Sequence, residues 1–141
     1  MPSQLVIHLT NSLSEIPRVL DAIGAFFDDI PDAGPARFDV SLAVEELLSN
    51  VIRYAYPEGE RHMISVTLSV QDGVVHCHLV DTGRPFDPLS VPEPDIDADL
   101  DDRQVGGLGV HFVRRMMQDV RYDRVDGRNE VRLMRSLAVP P

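Results

Sequence analysis

The chain has 141 residues, a formal net charge of −10 and an isoelectric point of about 4.7. This length predicts one domain with a core of its own, and the acidic balance disfavours direct binding to nucleic acid or to an anionic membrane. All 13 basic residues are arginine, which excludes a Walker A lysine and Schiff-base chemistry.

The start of the chain and its cysteine content point to one cellular setting. The first ten residues lack the charged region and the long apolar run of a signal peptide or membrane span. Cys77 is the only cysteine, which excludes an intramolecular disulfide and a Cys-rich zinc site. We therefore expect a cytoplasmic protein.

The first half of the chain predicts one strand and two helices. Residues 4–10 alternate as a strand does, and apolar residues at steps of three and four predict a helix over 16–30. Ser12 and Glu15 have the spacing of a capping box in front of that helix. A second helix is predicted over 36–56, with one apolar stripe formed by Val40, Val44, Leu47, Val51 and Ala55.

The second half predicts four strands and one helix. Strands over 64–70 and 74–80 flank the hairpin signal Asp72-Gly73, and a Pro- and Asp-rich loop over 88–105 follows them. A helix over 109–118 and two strands around Asp126-Gly127 complete the chain. This order predicts a single α+β domain over residues 1–141, a two-layer sandwich with helices on one face of a mixed or antiparallel sheet.

Two polar residues of the second predicted helix lie on one face. Glu46 and Asn50 are four residues apart, so they project within about 40° of each other. This face is opposite the apolar stripe, which predicts a carboxylate and a carboxamide side by side where a ligand reaches them. Such a pair is also typical of a solvated helix face.

Asp81 begins a second polar motif, DTGRPFD over 81–87, directly after a predicted strand. It shares the strand parity of the apolar residues before it, so we expect it to point toward the buried side. A buried carboxylate needs a partner, and the 6-amino group of adenine is a suitable donor, with Gly83 allowing a flat base to approach the backbone. An Asx turn after a strand has the same pattern.

Glycines open the third predicted helix. Residues 106–109 read GGLG, and an apolar helical pattern follows at once. The free N–H groups and the dipole at a helix start favour phosphate oxygens without any lysine. Taken alone, the motif is also typical of a lid hinge or of a plain N-terminal turn.

Together the three motifs have the order and spacing of the GHKL (Bergerat-fold) ATPases. The segment 44–56, VEELLSNVIRYAY, resembles the N box of that superfamily, and residues 81–86 resemble its first glycine box. Residues 88–105 resemble the ATP lid and residues 107–109 the second glycine box. The similarity extends over nearly the whole chain, whose short single-domain form resembles the anti-sigma factor serine/threonine protein kinases.

The resemblance implies ATP and Mg²⁺ as ligands and a role for each motif residue. Asn50 would supply an oxygen to Mg²⁺, and Glu46 would be the general base that acts on the attacking hydroxyl. Asp81 would receive the adenine amino group, with Gly83 beneath the base. Two glycines and one lid arginine would lie on the phosphates, namely Gly107, Gly109 and Arg103.

One position departs from the family pattern, because Pro85 stands where the first glycine box usually has its second glycine. This departure leaves room for an alternative function, a nucleotide-gated binding module that transfers no phosphate. A third interpretation is the ATPase domain of a two-component histidine kinase. It is disfavoured because no helical hairpin with an acceptor histidine precedes the domain.

The resemblance also implies protein partners. These are an antagonist protein that accepts the phosphate and a sigma factor that is sequestered, in a partner-switching system that regulates transcription. It further implies a homodimer. Neither nucleic acid nor membrane is an expected direct partner of so acidic a chain.

Overall fold

The computed structural model describes residues 4–90 and 107–138 of the chain. Within these ranges it contains five strands and three α-helices, in the order that the sequence predicts, and a short 3₁₀ turn, Leu13–Glu15, before the first helix. The elements are β1 (Gln4–Thr10), α1 (Ile16–Asp28), α2 (Gly34–Tyr54), β2 (Met63–Gln71), β3 (Val74–Asp81), α3 (Gly107–Met116), β4 (Asp119–Val125) and β5 (Arg128–Ser136).

The five strands form one sheet in the order β1-β2-β3-β5-β4, and every neighbouring pair is antiparallel. Two-residue turns close the hairpins β2-β3 and β4-β5. Asp72 and Gly73 have φ of 52° and 75°, and Asp126 and Gly127 have φ of 49° and 79°. Positive φ at both positions gives a turn whose twist matches that of the strands, which is why Asp-Gly pairs predict hairpins.

The helices cover one face of the sheet, and the core lies between the two layers. In β3 buried and half-buried residues alternate strictly, as expected of a strand with one face in the core. The predicted apolar stripe of α2 is buried, with Val40, Val44, Leu47, Val51 and Ala55 at most 1% exposed. The two-layer α+β sandwich is therefore confirmed, with a sheet that is wholly antiparallel.

The predicted bounds of α2 and α3 are wrong by two residues at each end, whereas α1 begins where predicted and ends two residues early. α2 begins at Gly34 instead of residue 36 because Pro35 fits the first turn of a helix, where its missing N–H is not needed. α3 begins at Gly107, so Gly107 and Gly109 both lie in its first turn. Arg103 and residues 91–105 of the predicted lid lie outside the described residues.

The predicted capping box does not form. The Ser12 hydroxyl accepts a hydrogen bond from the Ser14 N–H at 3.4 Å, so it caps the 3₁₀ turn instead of α1. The Glu15 carboxylate accepts from the Thr10 N–H at 3.2 Å and therefore ties the turn to the end of β1.

Helix α2 is buried around more of its circumference than its apolar stripe predicts. α1 and α3 both pack against it, and residues 87–90 approach it near Asn50. The prediction of a solvent-open face was therefore wrong for Asn50, which is 0% exposed, while Glu46 is half-buried. None of the helices in the described ranges is long and apolar enough to cross a membrane.

Candidate functional site

Glu46 lies against the start of α3, which brings two of the predicted motifs together. A methyl group added to Gly109 would overlap the Glu46 carboxylate, so only glycine fits at that position with Glu46 as it stands. Burial raises the pKa of the Glu46 carboxyl above its ordinary value. The positive charge of Arg53 opposes this increase, and the negative charge of Glu45 adds to it.

Asn50 lies one helical turn further along α2 and has no exposure to solvent. Its Nδ2 atom lies 3.4 Å from the carbonyl oxygen of Pro88, at the long end of the range for a hydrogen bond. Its Oδ1 atom has no partner among the described residues. The carboxamide therefore presents a buried, unpaired acceptor.

Asp81 ends β3 on the buried side of the strand, as its parity predicts, and is 1% exposed. Its Oδ1 atom accepts two hydrogen bonds of 2.9 Å, from the Gly83 N–H and from Nδ2 of Asn129. Burial raises the pKa of the Asp81 carboxyl, while these two hydrogen bonds and the charge of Arg124 oppose the increase. The second oxygen, Oδ2, has no partner among the described residues.

The buried side-chain polar atoms left without a partner in the described structure are Glu46 Oε1, Asn50 Oδ1 and Asp81 Oδ2. All three belong to residues that the sequence motifs single out. Leaving a buried acceptor unpaired costs about 1–3 kcal/mol, and the cost is larger for a charged group, so native proteins rarely leave one without a reason. Three such oxygens indicate a site that is completed by donors or by a cation.

The structure gives a reason for glycine at position 83 that the sequence did not indicate. A methyl group added to it would overlap the carbonyl oxygen of Ala55, just beyond α2. Arg84 joins the loop after β3 to the end of α2 by two hydrogen bonds. Its backbone N–H donates to the Ala55 oxygen at 2.9 Å, and its Nε donates to the Tyr54 oxygen at 2.7 Å. The loop after β3 therefore rests directly on the end of the helix that carries Glu46 and Asn50.

The loop accommodates Pro85 through bonds made by its two neighbours. The Arg84 carbonyl accepts from Nδ2 of Asn129 at 2.8 Å, and the Phe86 N–H donates to Oδ1 of Asn129 at 3.2 Å. Pro85 has no N–H, and this arrangement does not call for one. Proline is therefore compatible with the hydrogen bonds of this loop at the position where the family pattern has its second glycine.

Asn129 is the residue that sequence reasoning missed. It is 0% exposed and pairs directly across the strands with Asp81. Its signal in the sequence is parity, because it shares the inward positions of β5 with Val131 and Leu133 and is polar where an apolar residue is expected. The pairing of β5 with β3, which gives Asn129 its place, is not visible in the sequence.

A groove of about 500 Å³ opens on the other side of Glu46. Its walls come from the 3₁₀ turn, the start of α1 and the outer face of α2. The lining residues are Leu13, Ile16, Pro17, Leu42, Glu45, Glu46, Ser49 and Arg53. Glu46 is thus shared between this groove and the start of α3, whereas its neighbour Glu45 is exposed.

A second cavity, of about 470 Å³, lies on the face of the sheet away from the helices. His76 and His78 line it together with Arg121 and Arg132, and His78 bonds to Glu130 through Nε2 at 2.7 Å. None of the predicted site residues that the structure describes lines this cavity.

The sequence of this chain is similar to a protein family and to two known proteins. Residues 4–135 match the family model described as histidine kinase-like ATPase domain. The chain is 34% identical over 97 residues to the serine/threonine-protein kinase BtrW of Bordetella bronchiseptica, covering 69% of this chain and 68% of that protein. It is 27% identical over 107 residues to the serine-protein kinase RsbW of Staphylococcus aureus, covering 72% of this chain and 63% of that protein.

A solved structure supports the fold independently. It is the crystal structure of the RsbU and RsbW domains of Rv1364c from Mycobacterium tuberculosis, which matches with a TM-score of 0.70 at 16% identity. The match covers 97% of this chain and 33% of that one, so it applies to a part of the larger protein.

Proposed function

The chain belongs to the histidine kinase-like ATPase domain family, of the GHKL type, and on this premise we propose that it is an ATP-dependent protein kinase that phosphorylates serine or threonine of a partner protein. The observation that carries the proposal is the set of three unpaired buried oxygens, on Glu46, Asn50 and Asp81. Each belongs to one of the motifs, and each has a complementary group in Mg-ATP or in an acceptor hydroxyl. The names of the two curated relatives, both protein kinases, support the same reaction class.

Two of the unpaired oxygens fit Mg-ATP. Oδ2 of Asp81 is an acceptor at the strand end, suited to the amino group of adenine. Oδ1 of Asn50 is a hard oxygen ligand of the kind that Mg²⁺ prefers, and Mg²⁺ usually takes its other ligands from water and from substrate phosphates. When bound, Mg²⁺ would neutralise charge on the transferred phosphoryl group.

The start of α3 fits the phosphates. Gly107 and Gly109 lie in its first turn, where backbone N–H groups are not yet used within the helix and the helix dipole favours anions. We propose that the phosphate chain lies along this turn, next to Glu46. Arg103 remains a proposed phosphate contact and lies outside the described residues.

Glu46 is the proposed catalytic residue. The acceptor hydroxyl would reach it from the groove, where its carboxylate takes the proton as the hydroxyl oxygen bonds to the γ-phosphorus and the bond to ADP breaks. A raised pKa makes this carboxylate a stronger base than an ordinary glutamate. The apolar residues of the groove, such as Leu13 and Leu42, would hold the segment that carries the hydroxyl.

The identities of the partners rest on the family resemblance. We propose an antagonist protein as the phosphate acceptor and a sigma factor as the sequestered partner. We further propose that this chain forms a homodimer and acts in the cytoplasm. The competing function, a nucleotide-gated module without phosphate transfer, drew on Pro85. Pro85 gives this alternative less support in the folded protein, because the Arg84 carbonyl and the Phe86 N–H on either side of it both form hydrogen bonds with Asn129.

The proposal is tested by phosphate transfer from labelled ATP. The purified protein is incubated with Mg²⁺ and γ-labelled ATP in a lysate of the native host, and labelled proteins are hydrolysed for phosphoamino acid analysis. We expect one small protein to carry phosphoserine or phosphothreonine. Mg-dependent ADP binding without any labelled acceptor would favour the gated module, and no nucleotide binding at millimolar concentration would overturn the site itself.

A further inference from the structure

Asn129 is a fully buried amide beside Asp81, the residue proposed to receive the amino group of adenine. It stands in β5 directly opposite Asp81 of β3, so the two side chains meet across the strands. A polar group with no access to water must find its hydrogen bonds within the protein. Asn129 finds five.

The orientation of this amide is fixed by its surroundings. Its Oδ1 atom accepts from the Tyr122 hydroxyl at 2.6 Å, from Nη1 of Arg124 at 3.1 Å and from the Phe86 N–H at 3.2 Å. On the other side, its Nδ2 atom donates to Asp81 Oδ1 and to the Arg84 carbonyl. A flipped amide would place its NH₂ against three donors and its oxygen against two acceptors, so only one orientation satisfies the network.

This fixed amide determines which part of Asp81 is free. Nδ2 of Asn129 and the Gly83 N–H both donate to Oδ1 of Asp81, whereas Oδ2 has no partner within residues 4–90 and 107–138. Two donors on one oxygen also hold the carboxylate in place. The Oδ2 atom of Asp81 is therefore an acceptor with a fixed position.

We propose that Asn129 is a positioning residue for base recognition, which holds Asp81 as a fixed acceptor and so sets a preference for purines with a 6-amino group over purines with a 6-oxo group. This inference rests on the proposed function. A 6-amino group would donate to Oδ2, whereas a 6-oxo group would place a second acceptor against it. Asn129 acts through Asp81 and through the loop at Arg84 and Phe86, not by its own contact with the base.

The most direct variant is Asn129→Asp, which keeps the shape of the side chain but replaces the donor that faces Asp81 by an acceptor. Tyr122→Phe is a milder second variant, because it removes one of the three donors that orient the amide. The matched control is Arg135→Met on the same strand. Arg135 is also buried and inward-facing, and it pairs with Asp39 at 2.9 Å instead of with Asp81.

The experiment measures affinity for ADP and for GDP with Mg²⁺ by calorimetry, together with the melting temperature. For Asn129→Asp we expect ADP affinity to fall at least about tenfold, the loss typical of a hydrogen bond to a charged group, while GDP affinity changes far less. Tyr122→Phe should reduce the ADP/GDP ratio by a smaller factor. Arg135→Met should lower the melting temperature and leave the ratio unchanged.

The outcomes separate the two proposals. If both Asn129→Asp and Tyr122→Phe keep the wild-type ADP/GDP ratio, Asn129 does not position Asp81 for base recognition, and the kinase proposal is untouched. The same conclusion follows if affinity for both nucleotides falls equally, in step with the melting temperature. If the wild-type protein binds neither nucleotide, the proposed function is overturned and this inference with it.

Discussion

The carboxylate of Glu46 lies so close to Gly109 that a single added methyl group would occupy its space. The two residues belong to different motifs, on α2 and at the start of α3. This contact makes the position of the proposed base depend on the glycine of another helix.

Gly109→Ala should therefore displace Glu46. Alanine is a better helix former than glycine, so the helix itself should not be weakened. We expect ADP binding to persist while phosphate transfer falls about a hundredfold, since misplacement of a catalytic group by about 1 Å has effects of that size. Gly34→Ala is the matched control, because an added methyl group there meets nothing within 4 Å. Equal transfer rates for the two variants would show that Glu46 need not stay in place.

Glu46→Gln tests the base itself. Glutamine keeps the size and the hydrogen-bonding reach but cannot accept the proton, so transfer of labelled phosphate should fall at least about a hundredfold while ADP affinity is retained. Glu45→Gln, next to it and exposed, should change transfer little. If Glu45→Gln loses phosphate transfer while Glu46→Gln keeps it, Glu46 is not the general base.

Asn50→Ala tests the metal ligand. Because the variant removes the unpaired Oδ1, we expect ADP affinity in Mg²⁺ to fall toward the affinity measured in EDTA, where the wild type and the variant should agree. Calorimetry with and without Mg²⁺ provides the comparison. The role proposed for Asn50 fails if the variant keeps the full Mg²⁺ dependence.

The raised pKa of Glu46 predicts a cost in stability. A carboxyl whose pKa is higher in the folded state stabilises the fold below its unfolded pKa, and this contribution is lost as the pH rises through the folded pKa. Without nucleotide, Glu46→Gln should therefore gain in melting temperature relative to the wild type between about pH 4.5 and 7. Glu45→Gln should not. A Glu46→Gln protein that loses stability relative to the wild type as the pH rises would contradict the raised pKa.

Much of this protein follows from its sequence alone, because the information is local. The periods of the apolar residues predict the order of helices and strands, and the Asp-Gly pairs predict both hairpins because φ must be positive at each turn residue. The parity of β3 places Asp81 on the buried side. The three motifs likewise depend on short spacings, so they indicate the family before any contact is known.

The contacts between distant elements were decided by the tertiary structure. Asn50 is buried beside the Pro88 carbonyl, and α3 packs against the same helix. Helical spacing within α2 carries no information about either neighbour. Asn129 stands beside Asp81 only because β5 pairs with β3, across a connection that includes α3 and β4. A period describes one element at a time, whereas the free oxygens of the candidate site depend on which elements meet.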